Sequence, residues 1–201
     1  SIQKLGKNTY GNDWNHTTRQ AGVNAWIGKL ADGSITTVQT LPWNFKPWGC
    51  GSGVKGSCNN GWIQFEILED SLKDKNYFEA VFEEACQLTA YLCELYGLDP
   101  TGTTTLNGVK VPVILCHQDS YKLKLGSNHS DVYTWFNKYG KTMDDVRNRV
   151  KVIMKGETSK KEETPTVPST PTSYKIKVTA NVLNYRAGAG TNYKVNGVIY
   201  K

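Results

Sequence analysis

The sequence predicts an α/β domain built on a mixed central β-sheet flanked by helices. Three observations predict it. Short apolar runs separated by turn residues occupy the first third of the chain, one long stretch between Asn76 and Gly97 has apolar residues at three- and four-residue steps, and a nearly continuous apolar run follows at Val111–Cys116.

The elements follow in order. Val23–Ile27 and Ser34–Gln39 read as strands around Leu30-Ala31-Asp32-Gly33, where Asp-Gly supplies the positive φ of a tight reversal, so a hairpin is expected. A loop rich in Trp, Pro and Gly runs from Leu41 to Asn60. Trp62–Leu68 is a third strand, with aromatic and β-branched residues at its centre. In the helix that follows, Asn76 is the expected cap, Phe78, Val81, Phe82, Ala85, Leu88, Leu92 and Leu95 form the buried stripe, and Gly97 takes the C′ position. Val111–Cys116, apolar nearly throughout, is expected as a central fourth strand delivering His117 at its C-terminal end. Thr142-Met143-Asp144-Asp145 has the form of a capping box for a last helix through Met154.

Composition bounds the function classes. In 201 residues, 24 Lys and Arg oppose 18 Asp and Glu, a net charge of +6. The basic residues are scattered and Arg is scarce, so the field suits an anionic polymer such as a cell wall, and neither a nucleic acid nor a membrane partner is expected. The N-terminus has no apolar stretch behind its lysines, so no signal peptide is expected in the chain as given. Cys50, Cys58, Cys86, Cys93 and Cys116 are odd in number and irregularly spaced, which fits small buried hydrophobes better than a disulfide framework, though Cys50 and Cys58 flank a glycine-rich loop and are close enough in sequence to bridge. From Gly156 to Ser173 the chain has no aromatic residue and prolines at 165, 168 and 171, the composition of a semi-extended linker. The expected organisation is a domain over 1–154, a linker over 155–173 and a second module over 174–201.

Among three histidines, His117 has the best setting, because ligands of open α/β sheets bind at the C-terminal ends of central strands. The polar loop Ser127-Asn128-His129-Ser130-Asp131 is placed to fold back over that end. A catalytic zinc needs three protein ligands and an open position; His117 with Asp131 or His129 supplies two. Glu66, inside the apolar third strand, is either a half-exposed strand carboxylate or a general base with a raised pKa.

Gln20–Lys29, Leu41-Pro42-Trp43-Asn44, Trp48–Gly53, Ile63–Glu69, Leu115-Cys116-His117 and Ser127–Phe136, taken in order over about residues 10 to 150, resemble the zinc-dependent N-acetylmuramoyl-L-alanine amidases of phage endolysins and prophages, which share the fold of peptidoglycan recognition proteins. The resemblance implies hydrolysis of the amide between muramic acid and the L-alanine of the stem peptide, with zinc as cofactor and peptidoglycan as substrate. It assigns His117 and Asp131 as metal ligands, Glu66 as the catalytic acid/base, and Asn24, Trp43, Trp48 and His129 as substrate-binding residues. It also implies a monomer acting at the cell wall. Asn24 and Gly49 stand where relatives usually have His, and the first zinc ligand, a His on an opening strand in a His-x-Thr-like setting, has no counterpart before Asn12, so the first strand is expected to be missing. His16 lies in a polar loop with no strand to fix it.

Tyr174–Tyr193, with Leu183-Asn184-Tyr185-Arg186 and Gly188, resembles the start of a bacterial SH3-type cell-wall-binding domain, of which the chain carries roughly half. The alternative to an enzyme is a peptidoglycan-binding protein that uses the same cleft, lined by Trp43, Trp48, Trp62 and Trp135, after loss of a metal ligand.

Overall fold

A computed structural model of the chain describes residues 21–30, 32–69, 72–156, 182–186 and 195–200. His16, the linker from residue 157 and Tyr174 lie outside them. The chain divides into two compact units, Ser1–Ser159 and Lys160–Lys201.

In the first unit, β1 (Ala25–Lys29) is the middle strand of a three-stranded mixed sheet, antiparallel to β2 (Ile35–Gln39) and parallel to β3 (Phe65–Ile67). The expected hairpin forms: Gly33 has φ 90°, and its N–H donates to Leu30 O at 3.1 Å. The third strand is shorter than its apolar run suggests. Trp62 and Ile63 pack against core clusters outside the ladder, and Trp62 Nε1 donates to Val113 O at 3.2 Å.

Helix α1 (Lys75–Tyr96) buries the stripe Phe78, Val81, Phe82, Ala85, Leu88 and Leu92 against Ala25, Ile27, Phe65 and Ile67 of the sheet. Its N-cap is Asp74, not Asn76: the Asp74 carboxylate accepts from Tyr77 N–H at 3.0 Å, leaving Asn76 inside the first turn. At the other end Gly97 adopts φ 62° and its N–H closes on Cys93 and Glu94 carbonyls. A side chain in this left-handed conformation costs about 1 kcal/mol, so Gly97→Ala should lower stability by about that amount in a denaturant titration and leave the site unaffected.

The run Val111–Cys116 departs from expectation. Only its start is a strand: β5 (Val109–Pro112) pairs antiparallel with β4 (Thr103–Leu106) in a separate two-stranded hairpin, turned at Asn107-Gly108, both at positive φ. Pro112 has no N–H to extend the ladder, and Val113–Cys116 continues as irregular backbone. Arg147 holds that segment, donating from Nε and Nη2 to Ile114 O at 2.9 and 2.8 Å. The short helices α2 (His117–Lys122) and α3 (Tyr133–Phe136) follow, then α4 (Met143–Met154), capped as expected by the reciprocal Thr142–Asp145 box. α4 is clamped to α1 by Arg149, whose Nε and Nη2 donate to the two Glu83 carboxylate oxygens at 2.8 and 2.6 Å.

All five cysteines are buried and unpaired. In the second unit, β6 (Val182–Arg186) and β7 (Val195–Tyr200) form an antiparallel pair. Among the described residues, no helix is long and apolar enough to cross a membrane.

Candidate functional site

A cleft of about 980 Å³ opens on the first unit, and Glu66, His117 and Asp131 all line it. Three elements bring them there. Phe65 and Ile67 face the α1 core, so strand alternation turns Glu66 away from it. His117 is the first residue of α2, its side chain 13% exposed. Asp131 is fixed beside it because its carbonyl accepts the Gln118 N–H at 3.0 Å at the start of the same helix. His117 Nδ1 and Asp131 Oδ2 stand 3.5 Å apart.

Glu66 titrates far from the ordinary range. Crowding by protein, then repulsion from Asp131, push its pKa up to about 7, and attraction to His117 opposes them. Solvent reaches the carboxylate through the cleft mouth, while the surrounding protein weakens its hydration on the other sides. Asp131 moves the opposite way: the His117 imidazole holds its carboxyl below the usual range. The Glu66 shift has a sign that can be checked in metal-free protein. The fold disfavours the ionised form, so stability present below the ordinary value of 4.5 declines as pH rises through about 7. Glu66→Gln should therefore gain melting temperature over the parent at pH ~8 and little at pH ~4.5. Equal differences at both pH values would contradict the shift.

The rim is built by buried polar groups. Asn24 is fully buried; its Nδ2 donates to Pro42 O and Phe45 O at 3.0 Å each, and its Oδ1 accepts from Gln64 N–H at 3.0 Å. With both ends of its amide engaged, Asn24 braces the 41–46 loop, which carries Trp43 into the cleft lining. Trp48 is 66% exposed and lies outside that lining. Gln64 extends the brace: its Oε1 accepts the Gly49 N–H at 2.9 Å, and a Cβ at position 49 would stand 2.7 Å from that oxygen and 2.8 Å from Val23 Cγ1. Any side chain at 49 would therefore require the Gln64 and Val23 side chains to shift and would break the Gln64 brace.

His129 is exposed, its ring 4.4 Å from the His117 ring, and its Nδ1 is 3.1 Å from Ser127 Oγ. Ser127 is the residue that sequence reasoning did not single out. Its Oγ lies 3.0 Å from His117 Nε2 and 3.3 Å from Cys50 O. The available signal is the glycine set on the two abutting loops. A Cβ at Gly51 would strike Ser127, one at Gly53 would strike Lys124, and one at Gly126 would strike Ser120.

The donor geometry can be tested against a metal. Two ligands on a tetrahedral zinc, each about 2.0–2.1 Å from the ion, stand roughly 3.3 Å apart. The 3.5 Å between His117 Nδ1 and Asp131 Oδ2 fits that spacing better than the ~2.8 Å of a charge-assisted hydrogen bond. The pair thus fits two metal positions; among the described residues no third His, Cys, Asp or Glu completes a group of three.

Residues 3–133, well over half of the chain, match the family described as N-acetylmuramoyl-L-alanine amidase. The chain belongs to this amidase family. Its fold is similar to that in the crystal structure of Staphylococcus aureus hydrolase AmiA in complex with its ligand, with a TM-score of 0.53 at 21% identity over 69% of this chain. The amidase chain described here spans 62% of the length of that one. No curated protein matches the sequence significantly. The mixed α/β architecture expected from the sequence is the one the amidase fold shows.

Proposed function

We propose that the protein is a zinc-dependent peptidoglycan hydrolase that cleaves the amide between the lactyl group of muramic acid and L-alanine. The observation that carries this reading is the convergence of Glu66, His117 and Asp131 in one cleft of a chain belonging to the amidase family. His117 Nδ1 and Asp131 Oδ2 would hold the metal. Zinc in such a setting supplies Lewis acidity, which polarises a carbonyl and makes water more acidic.

The chain's own groups do the rest. Glu66, with a pKa of about 7, is poised to take a proton from the attacking water and return it to the leaving amine of L-alanine. Trp43, half-buried in the cleft lining, offers an apolar wall against which a glycan–peptide strand can lie. The second unit, whose β6–β7 pairing is compatible with a small all-β module, would hold the protein to the cell wall, and the net charge of +6 favours that anionic surface.

The test is hydrolysis of purified cell walls by the zinc-loaded protein, with Glu66→Ala as control. Amine release that requires both zinc and Glu66 supports the reading. Wall and zinc binding without amine release would replace it with the non-catalytic binder.

A further inference from the structure

The segment that delivers His117 has no ladder to hold it, and side chains take the place of one. Beyond Pro112, Trp62 Nε1 donates to Val113 O at 3.2 Å, and Arg147 gives Ile114 O two bonds, from Nε at 2.9 Å and from Nη2 at 2.8 Å. A guanidinium that holds one carbonyl through two nitrogens of its rigid fork fixes the direction of that peptide as well as its position. Ile114 stands three residues before His117.

The same guanidinium reaches the far side of the helix start. Its Nη2 lies 3.4 Å from Asp119 Oδ2, and Nη1 donates to Asp144 Oδ1 at 2.7 Å on its own helix. The Arg147 and Asp119 side chains are both 17% exposed, so solvent and salt screen their attraction only in part. Asp119 in turn faces the Cys116 N–H at 3.5 Å through Oδ2 and the Tyr133 hydroxyl at 3.4 Å through Oδ1. Tyr133 is two residues beyond Asp131, and the Gln118 N–H bond to Asp131 O closes the circuit. One side chain of α4 thus braces the segment that ends in His117 and, through Asp119, the segment that leaves Asp131. Arg149, on the same helix, is turned to Glu83 of α1 instead.

We propose that Arg147 is a positioning residue that sets the separation of His117 Nδ1 and Asp131 Oδ2 from behind, by holding Ile114 and Asp119 on the two sides of the start of α2. Arg147 lies outside the cleft lining, so it acts through backbone and takes no part in bond making. The use of that separation to hold zinc rests on the amidase reading, whereas the bracing itself is a property of the metal-free chain.

Two measurements on the intact chain test it. Hydrogen exchange of the Gln118 amide in metal-free protein reports how firmly the His117 and Asp131 segments are joined, and competition with a chromophoric chelator reports zinc affinity. Arg147→Lys keeps the charge and removes the fork; Arg149→Lys makes the same change in the neighbouring pair and is the matched control for general loss of stability. Arg147→Lys should exchange Gln118 about 10-fold faster and bind zinc about 10- to 100-fold more weakly, while Arg149→Lys keeps both at parental values. If Arg147→Lys does not fold, Asp119→Asn, which removes the same ion pair from the α2 side, takes its place with the same expected losses. The proposal is overturned if the variant keeps the parental Gln118 exchange or the parental affinity, or if Arg149→Lys changes them to the same extent. A parent that binds no zinc would sink the amidase reading, and Gln118 exchange would then decide the positioning role alone.

Discussion

Glu66→Gln should lower peptidoglycan hydrolysis by about 10²- to 10⁴-fold, the usual range for loss of a general acid/base, while zinc binding is retained. The reason lies in how β3 presents the residue. Phe65 and Ile67 are fastened in the core beneath α1, so the backbone at 66 is rigid and the carboxylate stays in the cleft with His117 and Asp131. Glutamine preserves shape and hydrogen-bonding reach but can neither accept the proton of water nor deliver one to an amine. Because Glu66 is not one of the two proposed metal ligands, the variant separates proton transfer from metal binding. A variant that keeps near-parental turnover would remove Glu66 from the mechanism, and one that loses zinc would make it a ligand.

Phe78→Ala should cost about 3–5 kcal/mol of stability, a substantial part of the ~5–15 kcal/mol typical of a domain. Phe78 is 0% exposed and its ring meets four others, Phe82 at 5.8 Å, Trp135 at 5.3 Å, Phe136 at 5.7 Å and Tyr139 at 4.4 Å between centroids. Removing the ring leaves a cavity where α1 meets the 133–139 segment, and both walls are fastened elsewhere, so little collapse can fill it. Since that segment follows directly on Asp131, the loss should also loosen one side of the candidate metal position. Urea unfolding should show a midpoint lower by about 1–3 M. A cost under ~1 kcal/mol would mean that the ring cluster is less tightly packed than its centroid distances imply.

The sequence made some of this legible because local rules and tertiary structure agree. Asp32-Gly33 specified the β1–β2 turn, Gly97 the end of α1, and Thr142 with Asp145 the start of α4, each through chemistry confined to a few residues. The helix stripe from Phe78 to Leu92 was equally readable, since period 3.6 survives whatever the partner surface is, but its expected last member, Leu95, is exposed beyond the end of the packed face. Val111–Cys116 misled because an apolar run reports burial and not pairing: Val111 is fully buried, yet its ladder partner is Thr104 of a separate hairpin. Asp74 displaced Asn76 as cap, a choice between two competent residues two positions apart.

The site shows the same division. The family resemblance placed His117, Asp131 and Glu66 together, and all three line one cleft, whereas the strand pattern alone left Glu66 open and nothing local connects residues 50 and 127. The contact between Ser127 and the glycine-rich loop depends on Gly51, Gly53 and Gly126 admitting a backbone approach that only the folded chain reveals. Asn24 is similar: its three side-chain bonds reach residues 18, 21 and 40 positions away, so its bracing role is invisible along the chain.

The most direct test is end-group analysis of cell walls digested by the zinc-loaded protein. New N-terminal L-alanine, appearing without new reducing sugar ends and absent when Glu66→Gln replaces the parent, is the predicted result. New reducing ends, N-termini other than L-alanine, or equal L-alanine release by the variant would contradict the assignment of Glu66, His117 and Asp131 to a muramoyl–alanine amidase centre.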